Sequence, residues 1–174
     1  MYKSFRIFLK TALLSVLLVS ILPVDKPALA QTPDYLHTDG NRIVDSQGNP
    51  VLLTGISWFG LETDNFAPHG LWARNLDSFL DQIVELGFNT IRLPYSNQLF
   101  DPSSVPNGIN YDLNPDLKGL NGLEIMDKVI AGAGERGLKV ILDRHRPDSH
   151  AQSELWYTPQ YDEDRCVRGL DKGD

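Results

Sequence analysis

The alternation of apolar and polar positions divides the chain into short β-type runs and two amphipathic helices. Arg42-Ile43-Val44 and Val51-Leu52-Leu53 are apolar runs on either side of Asp45-Ser46-Gln47-Gly48-Asn49-Pro50. Turn-forming residues clustered between two such runs predict a hairpin. The second run continues through Thr54-Gly55-Ile56-Ser57-Trp58 as the expected first strand of a larger sheet. Leu76, Phe79, Leu80, Ile83 and Val84 then fall on one face of a helix with a 3.6-residue period. Asn75 is placed to cap that helix and Gly87 to end it. Phe88 to Pro94 follows as a β-rich run, which the proline, having no amide proton, is expected to close.

The same grammar then repeats. Asn121 and Glu124 have the spacing of a capping box, and Leu123, Met126, Ile130 and Ala133 form a helical stripe. Gly137 ends it, and Leu138 to His145 reads as a strand. Strands alternating with helices predict βαβ units and a parallel sheet. The helix-to-strand connections are about one glycine long, whereas Phe59 to Arg74 and Tyr95 to Leu120 are long strand-to-helix loops. Long loops at the C-terminal ends of parallel strands are where a β/α barrel places its chemistry. The working face is therefore expected around Trp58, Arg92 with Tyr95, and Asp143 to His145.

Composition narrows the setting. The 174 residues carry 16 Lys+Arg against 23 Asp+Glu, and 41% are apolar. The N-terminus departs from this average: Lys3, Arg6 and Lys10 precede the apolar run Thr11 to Leu22, and Ala28-Leu29-Ala30 follows. A basic start, a short apolar stretch and an A-x-A end describe a secretory signal peptide over residues 1–30. A run of about 12 apolar residues is too short for a bilayer that needs ~20. Secretion into the extracellular space is thus expected, with no membrane attachment after cleavage. Without the leader the net charge is about −10, with no basic cluster, which argues against nucleic acid and anionic membrane as partners. A single cysteine, Cys166, excludes an internal disulfide framework.

Arg92 lies in a strand expected to be buried on both faces, so its guanidinium needs carboxylate partners. It is either half of a structural ion pair or a group that holds a catalytic carboxylate ionised and oriented. His145 closes its strand before Arg146-Pro147; a lone histidine is more often structural, but this position in a barrel faces substrate. No HExxH or paired-cysteine spacing supports a metal, and none is expected, nor any cofactor. Asp112-x-Asn114-x-Asp116 opens like a calcium loop but has Leu117 where glycine is required and Leu123 where glutamate is required. The first long loop gathers Trp58, Phe59, Phe66 and Trp72 with Glu62 and His69. Aromatic faces beside a few polar groups suit sugar rings, or else pack the mouth of a barrel.

Three runs together carry a resemblance: Gly55-Ile56-Ser57-Trp58-Phe59-Gly60, then Gly87 to Ser96, then Ile141-Leu142-Asp143-Arg144-His145-Arg146-Pro147. In order and spacing they resemble glycoside hydrolase family five, and among its members the secreted bacterial endo-β-1,4-glucanases, from about His37 to Thr158. The resemblance implies a (β/α)₈ TIM barrel that cleaves β-1,4-glucan with retention, using two glutamates ~5–5.5 Å apart. It also implies that Arg92 contacts the nucleophile and that His145 lines the cleavage subsite. Trp58, Phe59 and Trp72 are implied to bind sugar. Cellulose or a related β-linked polysaccharide is the implied partner, with β-mannan an alternative within the family.

The glutamates outside the leader are Glu62, Glu85, Glu124, Glu135, Glu154 and Glu163, and no Asn-Glu dipeptide occurs. A barrel of this kind needs ~250 residues, so this chain is expected to hold about the first three βα units of an α/β barrel, preceded by a β-hairpin. Residues 31–161 are assigned to that partial barrel. Residues 162–174 are read as a polar tail, with truncation or a frameshift near Asp162 as its expected origin. The expectation is a cellulase portion without turnover by itself. Two other functions fit the residues: a non-catalytic β-glucan-binding protein, or a protomer that completes a barrel with a second chain.

Overall fold

The computed structural model describes residues 35–150 and 152–165. The proposed signal peptide, Cys166 and the rest of the tail to residue 174 lie outside the described residues. The chain divides after Val51 into two compact units.

The first unit is the hairpin, built differently from the expectation. Strand β1 (His37–Asp39) pairs antiparallel with β2 (Arg42–Val44), so the tight turn is at Gly40-Asn41. The expected second arm at 51–53 contributes only a bridge between Val44 and Pro50 and a bond from the Val51 N–H to the Ile43 carbonyl, 2.8 Å. The reason is local. Asp45 folds the intervening turn onto its own side chain, accepting from the Gln47 and Asn49 amides at 2.9 and 2.8 Å. An Asx-type turn of this kind competes with a ladder. The Asn49 side-chain amide also donates to Asp45, 3.0 Å, and this bond first, then the Asn49 backbone amide, holds the Asp45 carboxyl below its ordinary pKa.

The second unit is a three-stranded parallel sheet in the order β3 (Gly55–Ser57), β4 (Thr90–Ser96), β5 (Lys139–Arg146). Helices α1 (Leu76–Glu85) and α2 (Gly122–Glu135) make the two crossovers. This is the opening portion of a β/α barrel, with the sheet unclosed. Both helices carry the caps the sequence predicts. The Asn75 side chain accepts from the Ser78 amide, 2.8 Å, and Asn121 and Glu124 form a reciprocal capping box. Both helices also end in the same way. The amides of Gly87 and Phe88 return to Val84 and Ile83, and those of Gly137 and Leu138 to Gly134 and Ala133. This paired 5→2 and 6→1 closure needs a left-handed residue after the helix, supplied by Gly87 and Gly137 at φ 83° and 72°.

Two details differ from the pattern. Pro94 does not end its strand; β4 runs on to Ser96. The Arg92 carbonyl accepts from the Trp58 amide on the β3 side, and Pro94, two residues on, faces the same way, past the end of β3. Its missing donor therefore breaks no ladder bond. In α2 the fully buried positions are Ile125 and Val129, with Met126 and Ala133, while Leu123 and Ile130 pack at the flank. The apolar face is thus rotated from the stripe the spacing suggested.

Strand alternation sorts the sheet into two faces. Ile91, Leu93 and Tyr95 point into the core with Leu80, Ile83, Met126, Val129 and Ala133 of the helices. The strand register places Ser57, Arg92, Ile141 and Asp143 together on the opposite face. Only the first face is covered, which corrects the expectation that Arg92 is buried on both sides: its side chain is 39% exposed. Ile141 and Leu142 on the outermost strand are about half exposed, one toward each face.

Candidate active site

The chemistry-bearing side chains meet at the C-terminal ends of the three strands. Ser57 ends β3, Arg92 lies midway along β4, and Asp143 and His145 lie near the end of β5. The Arg92 guanidinium spans the group. Its Nη1 donates to Ser57 Oγ, 2.7 Å, and its Nη2 forms a short ion pair with Asp143 Oδ2. The same Nη2 lies 3.2 Å from His145 Nδ1, and that nitrogen is 3.2 Å from the Asp143 carboxylate. The structure brings Arg92 and His145 together, and Asp143 and Ser57 complete the set. Asp143 was legible only as a strand-end residue, because a partner on a neighbouring strand is fixed by register and not by sequence distance.

The three aromatic candidates separate. Trp58 is buried, its indole N–H donating to the His69 carbonyl at 2.9 Å and its ring packed on Phe79. It belongs to the core. Phe59 and Trp72 are about half exposed and flank His69: Phe59 stacks on the imidazole with centroids 4.3 Å apart, and Trp72 meets it edge-on at 4.2 Å. These three rings form an open aromatic surface in the first loop.

That loop is held by short-range polar bonds. The Glu62 carboxylate accepts from the Gly60 amide, 2.7 Å, and the His69 amide bonds back to the Phe59 carbonyl, 2.9 Å. Gly60 has φ 134°, and a Cβ there would stand 2.1 Å from the Ala67 carbonyl oxygen. Only glycine lets the two sides of the loop approach so closely. From β5, Arg146 donates through Nε to the Glu62 carbonyl, 2.7 Å, tying the first loop to the third strand. His150 reaches Asp64 at 2.9 Å on the exposed side of the same loop.

Beyond β5, Tyr161 is buried and its hydroxyl donates to Asp101, 2.8 Å, while Arg165 pairs with the other Asp101 oxygen, 2.6 Å. Burial, and then the bond to Asp101, push the Tyr161 phenol well above its usual pKa. Glu163 to Arg165 begin a helical turn whose Arg165 amide is capped by Asp162, 2.8 Å. Among the described residues no cluster of three or more His, Cys, Asp or Glu is arranged to hold a metal ion. No described helix is long and apolar enough to cross a membrane.

The parallel β/α sheet accords with the comparisons to known proteins. The model of cellulase (glycosyl hydrolase family 5) matches residues 44–167, which is most of the chain. The chain belongs to glycosyl hydrolase family 5. An endoglucanase of Paenibacillus polymyxa is 57% identical over 145 residues, covering 83% of this chain and 36% of the relative. The major extracellular endoglucanase of Xanthomonas campestris pv. campestris is 46% identical, covering 82% and 30%. Among solved structures, an endocellulase of Pyrococcus horikoshii in complex with cellotetraose superposes with a TM-score of 0.75 at 41% identity, over 81% of this chain and 39% of that one. The catalytic domain of the Xanthomonas enzyme gives 0.73 at 44%, over 78% and 39%.

The chain thus spans about a third of the length of the curated relatives it matches. The family match runs to residue 167, past Asp162, where the polar tail is expected to begin. A partial TIM barrel of family 5 is therefore the fold, and glycoside hydrolysis is the activity of the family.

Proposed function

We propose that this chain forms the first part of the catalytic barrel of a secreted endo-β-1,4-glucanase and supplies one wall of its cleavage site. The observation that carries the reading is the convergence of the Ser57, Arg92, Asp143 and His145 side chains on one face of three adjacent parallel strands, toward their C-terminal ends. In a barrel, that end of the sheet is where reaction occurs. The names of the relatives, and the cellotetraose bound by one of them, support β-1,4-glucan as the substrate class.

The residues divide the work by position. Arg92 presents a fixed positive charge, held by Ser57 and Asp143, beside which a nucleophilic carboxylate would stay ionised. His145 lies within hydrogen-bonding range of that arginine and would line the cleavage subsite. Phe59 and Trp72 offer open ring faces to a glucan chain, about as aromatic side chains meet pyranose rings in other pockets. Residues 1–30 direct export and are removed. Residues 31–161 are the barrel portion, and the 162–174 segment opens with Arg165 tied back to Asp101 of that portion.

Retention needs two carboxyl groups in a defined pair, one as nucleophile and one as acid/base. Asp143 is the carboxylate in the described cluster, and it is consumed by Arg92 and His145. No glutamate in the sequence follows an asparagine. The chain by itself is therefore not expected to hydrolyse glucan. Purified chain incubated with carboxymethyl cellulose should release no reducing sugar, yet be retained on cellulose, with retention reduced in Trp72→Ala. Hydrolysis by the isolated chain would overturn the inactivity. Equal retention of both forms would overturn the role of the aromatic surface.

A further inference from the structure

Asp143 carries a role that neither the family match nor the strand pattern assigns to it. Its Oδ2 receives two groups from different strands: the Arg92 Nη2 from β4, and at 3.2 Å the Nδ1 of His145, two residues along its own strand. The β4–β5 register shifts here, Tyr95 pairing with Arg144 and Ser96 with Arg146, so His145 is the extra residue of a bulge on β5, and it is this local kink that sets its ring beside Asp143. No hydrogen bond to His145 Nε2 occurs among the described residues; both of the ring's polar contacts are made through Nδ1.

We propose that Asp143 is a positioning residue that fixes the tautomer of His145, holding the proton on Nδ1 and leaving Nε2 as a bare acceptor for a sugar hydroxyl. The proposal deepens the glucanase reading above and rests on it for the identity of the hydroxyl.

Two arrangements compete at Nδ1. In one, Nδ1 is bare and takes a proton from Arg92 Nη2, 3.2 Å away. That arrangement sets the Nδ1 lone pair against a carboxylate oxygen at the same distance. In the other, Nδ1–H and Arg92 N–H both donate to Asp143 Oδ2. A carboxylate oxygen has two lone pairs and can accept both. Its negative charge makes each bond charge-assisted, roughly twice as strong as a bond between neutral groups. Arg92 is already ion-paired with the carboxylate. The anionic acceptor therefore decides the outcome, as it does wherever a carboxylate orients an imidazole through Nδ1–H.

The consequence is chemical. A neutral His145 with Nε2–H would offer a donor at the strand end, whereas the Nδ1–H form offers an acceptor. Every free hydroxyl of a β-glucan can donate to that acceptor, and an ether oxygen of a methylated glucan cannot. Asp143 would thus set what His145 recognises without touching substrate itself.

The test reads the tautomer directly, without turnover. Long-range ¹H–¹⁵N correlation of ¹⁵N-histidine-labelled full chain reports which ring nitrogen carries the proton. The wild-type chain should show a protonated Nδ1 and a bare Nε2 for the resonance that His145→Gln removes. Asp143→Asn should lose that pattern and populate Nε2–H, while Ser57→Ala, which touches only Arg92, should keep it. A wild-type ring with the proton on Nε2 overturns the proposal, and so does an unchanged tautomer in Asp143→Asn. If Asp143→Asn does not fold, the wild-type tautomer alone still decides. Failure of the glucanase reading would appear separately, as no retention on cellulose with the Nδ1–H tautomer intact.

Discussion

Arg92 is aligned in the backbone ladder with Ile141, yet its guanidinium pairs with Asp143, one same-face step further along the neighbouring strand. The arginine therefore leans toward the C-terminal end of the sheet. A long side chain can reach such a diagonal neighbour, and here it carries the charge to where the loops open. The pair is held on a face that the helices do not cover, so its value lies in placing charge and not in stability.

Trp58 and Trp72 should respond oppositely to truncation. Trp58→Ala removes a buried ring and its bond to the His69 carbonyl, and should cost about 3–5 kcal/mol of stability. Trp72→Ala should change stability by less than about 0.5 kcal/mol while weakening retention on cellulose. Urea denaturation and a cellulose pull-down on the same two variants measure both. A Trp72 variant as unstable as the Trp58 variant would remove the distinction.

Asn114 should be the most costly polar side chain to lose. It is buried, accepts from the Leu76 amide at 2.8 Å, and donates to the carbonyls of Leu71, Arg74 and Asn110. Asn114→Ala strands the first amide of α1 and should cost about 3 kcal/mol. Loss of the cap in Asn121→Ala should cost about 1 kcal/mol. The order of the two urea midpoints is the check.

The outer edge of the sheet should govern solution behaviour. Ile141 and Leu142 are about half exposed on the terminal strand of the parallel sheet, with Leu155 and Trp156 also exposed. Apolar edges of this kind recruit other chains. The isolated chain should self-associate with rising concentration, and Leu142→Lys should reduce this in light scattering. A concentration-independent monomer for the unsubstituted chain would contradict the expectation.

Tyr161 supplies a pH test. Burial and the bond to Asp101 favour the neutral phenol in the folded chain, so the folded pKa lies above the unfolded value near 10.0. The stabilisation is fully present below that unfolded value and is lost as pH rises toward the folded one. Ultraviolet titration should show one late phenolate fraction that disappears in Tyr161→Phe or on denaturation. A wild-type titration without a late fraction would refute the assignment.

Much of this arrangement was written locally. Asn75, Asn121 with Glu124, Gly87 and Gly137 fix where both helices begin and end, because caps and left-handed closures act over three to six neighbouring residues. The motifs around Trp58, Arg92 and His145 identified the family for the same reason: each is a contiguous run. The hairpin was misplaced because Asp45 closes its own turn, and a side chain bonding to nearby amides leaves no periodicity to read.

What the sequence alone determined, then, is the succession of strands and helices and the family. What only the tertiary structure decided is which side chains meet. Trp58 and Phe59 are adjacent in sequence, yet one is sealed in the core and the other is open beside His69, since neighbouring side chains at a strand end leave in opposite directions. Asp143 joins Arg92 across 51 residues because the register of two parallel strands brings them together. That register is set by burying Ile91, Leu93 and Tyr95 against two helices, a cooperative packing that no short stretch of sequence contains.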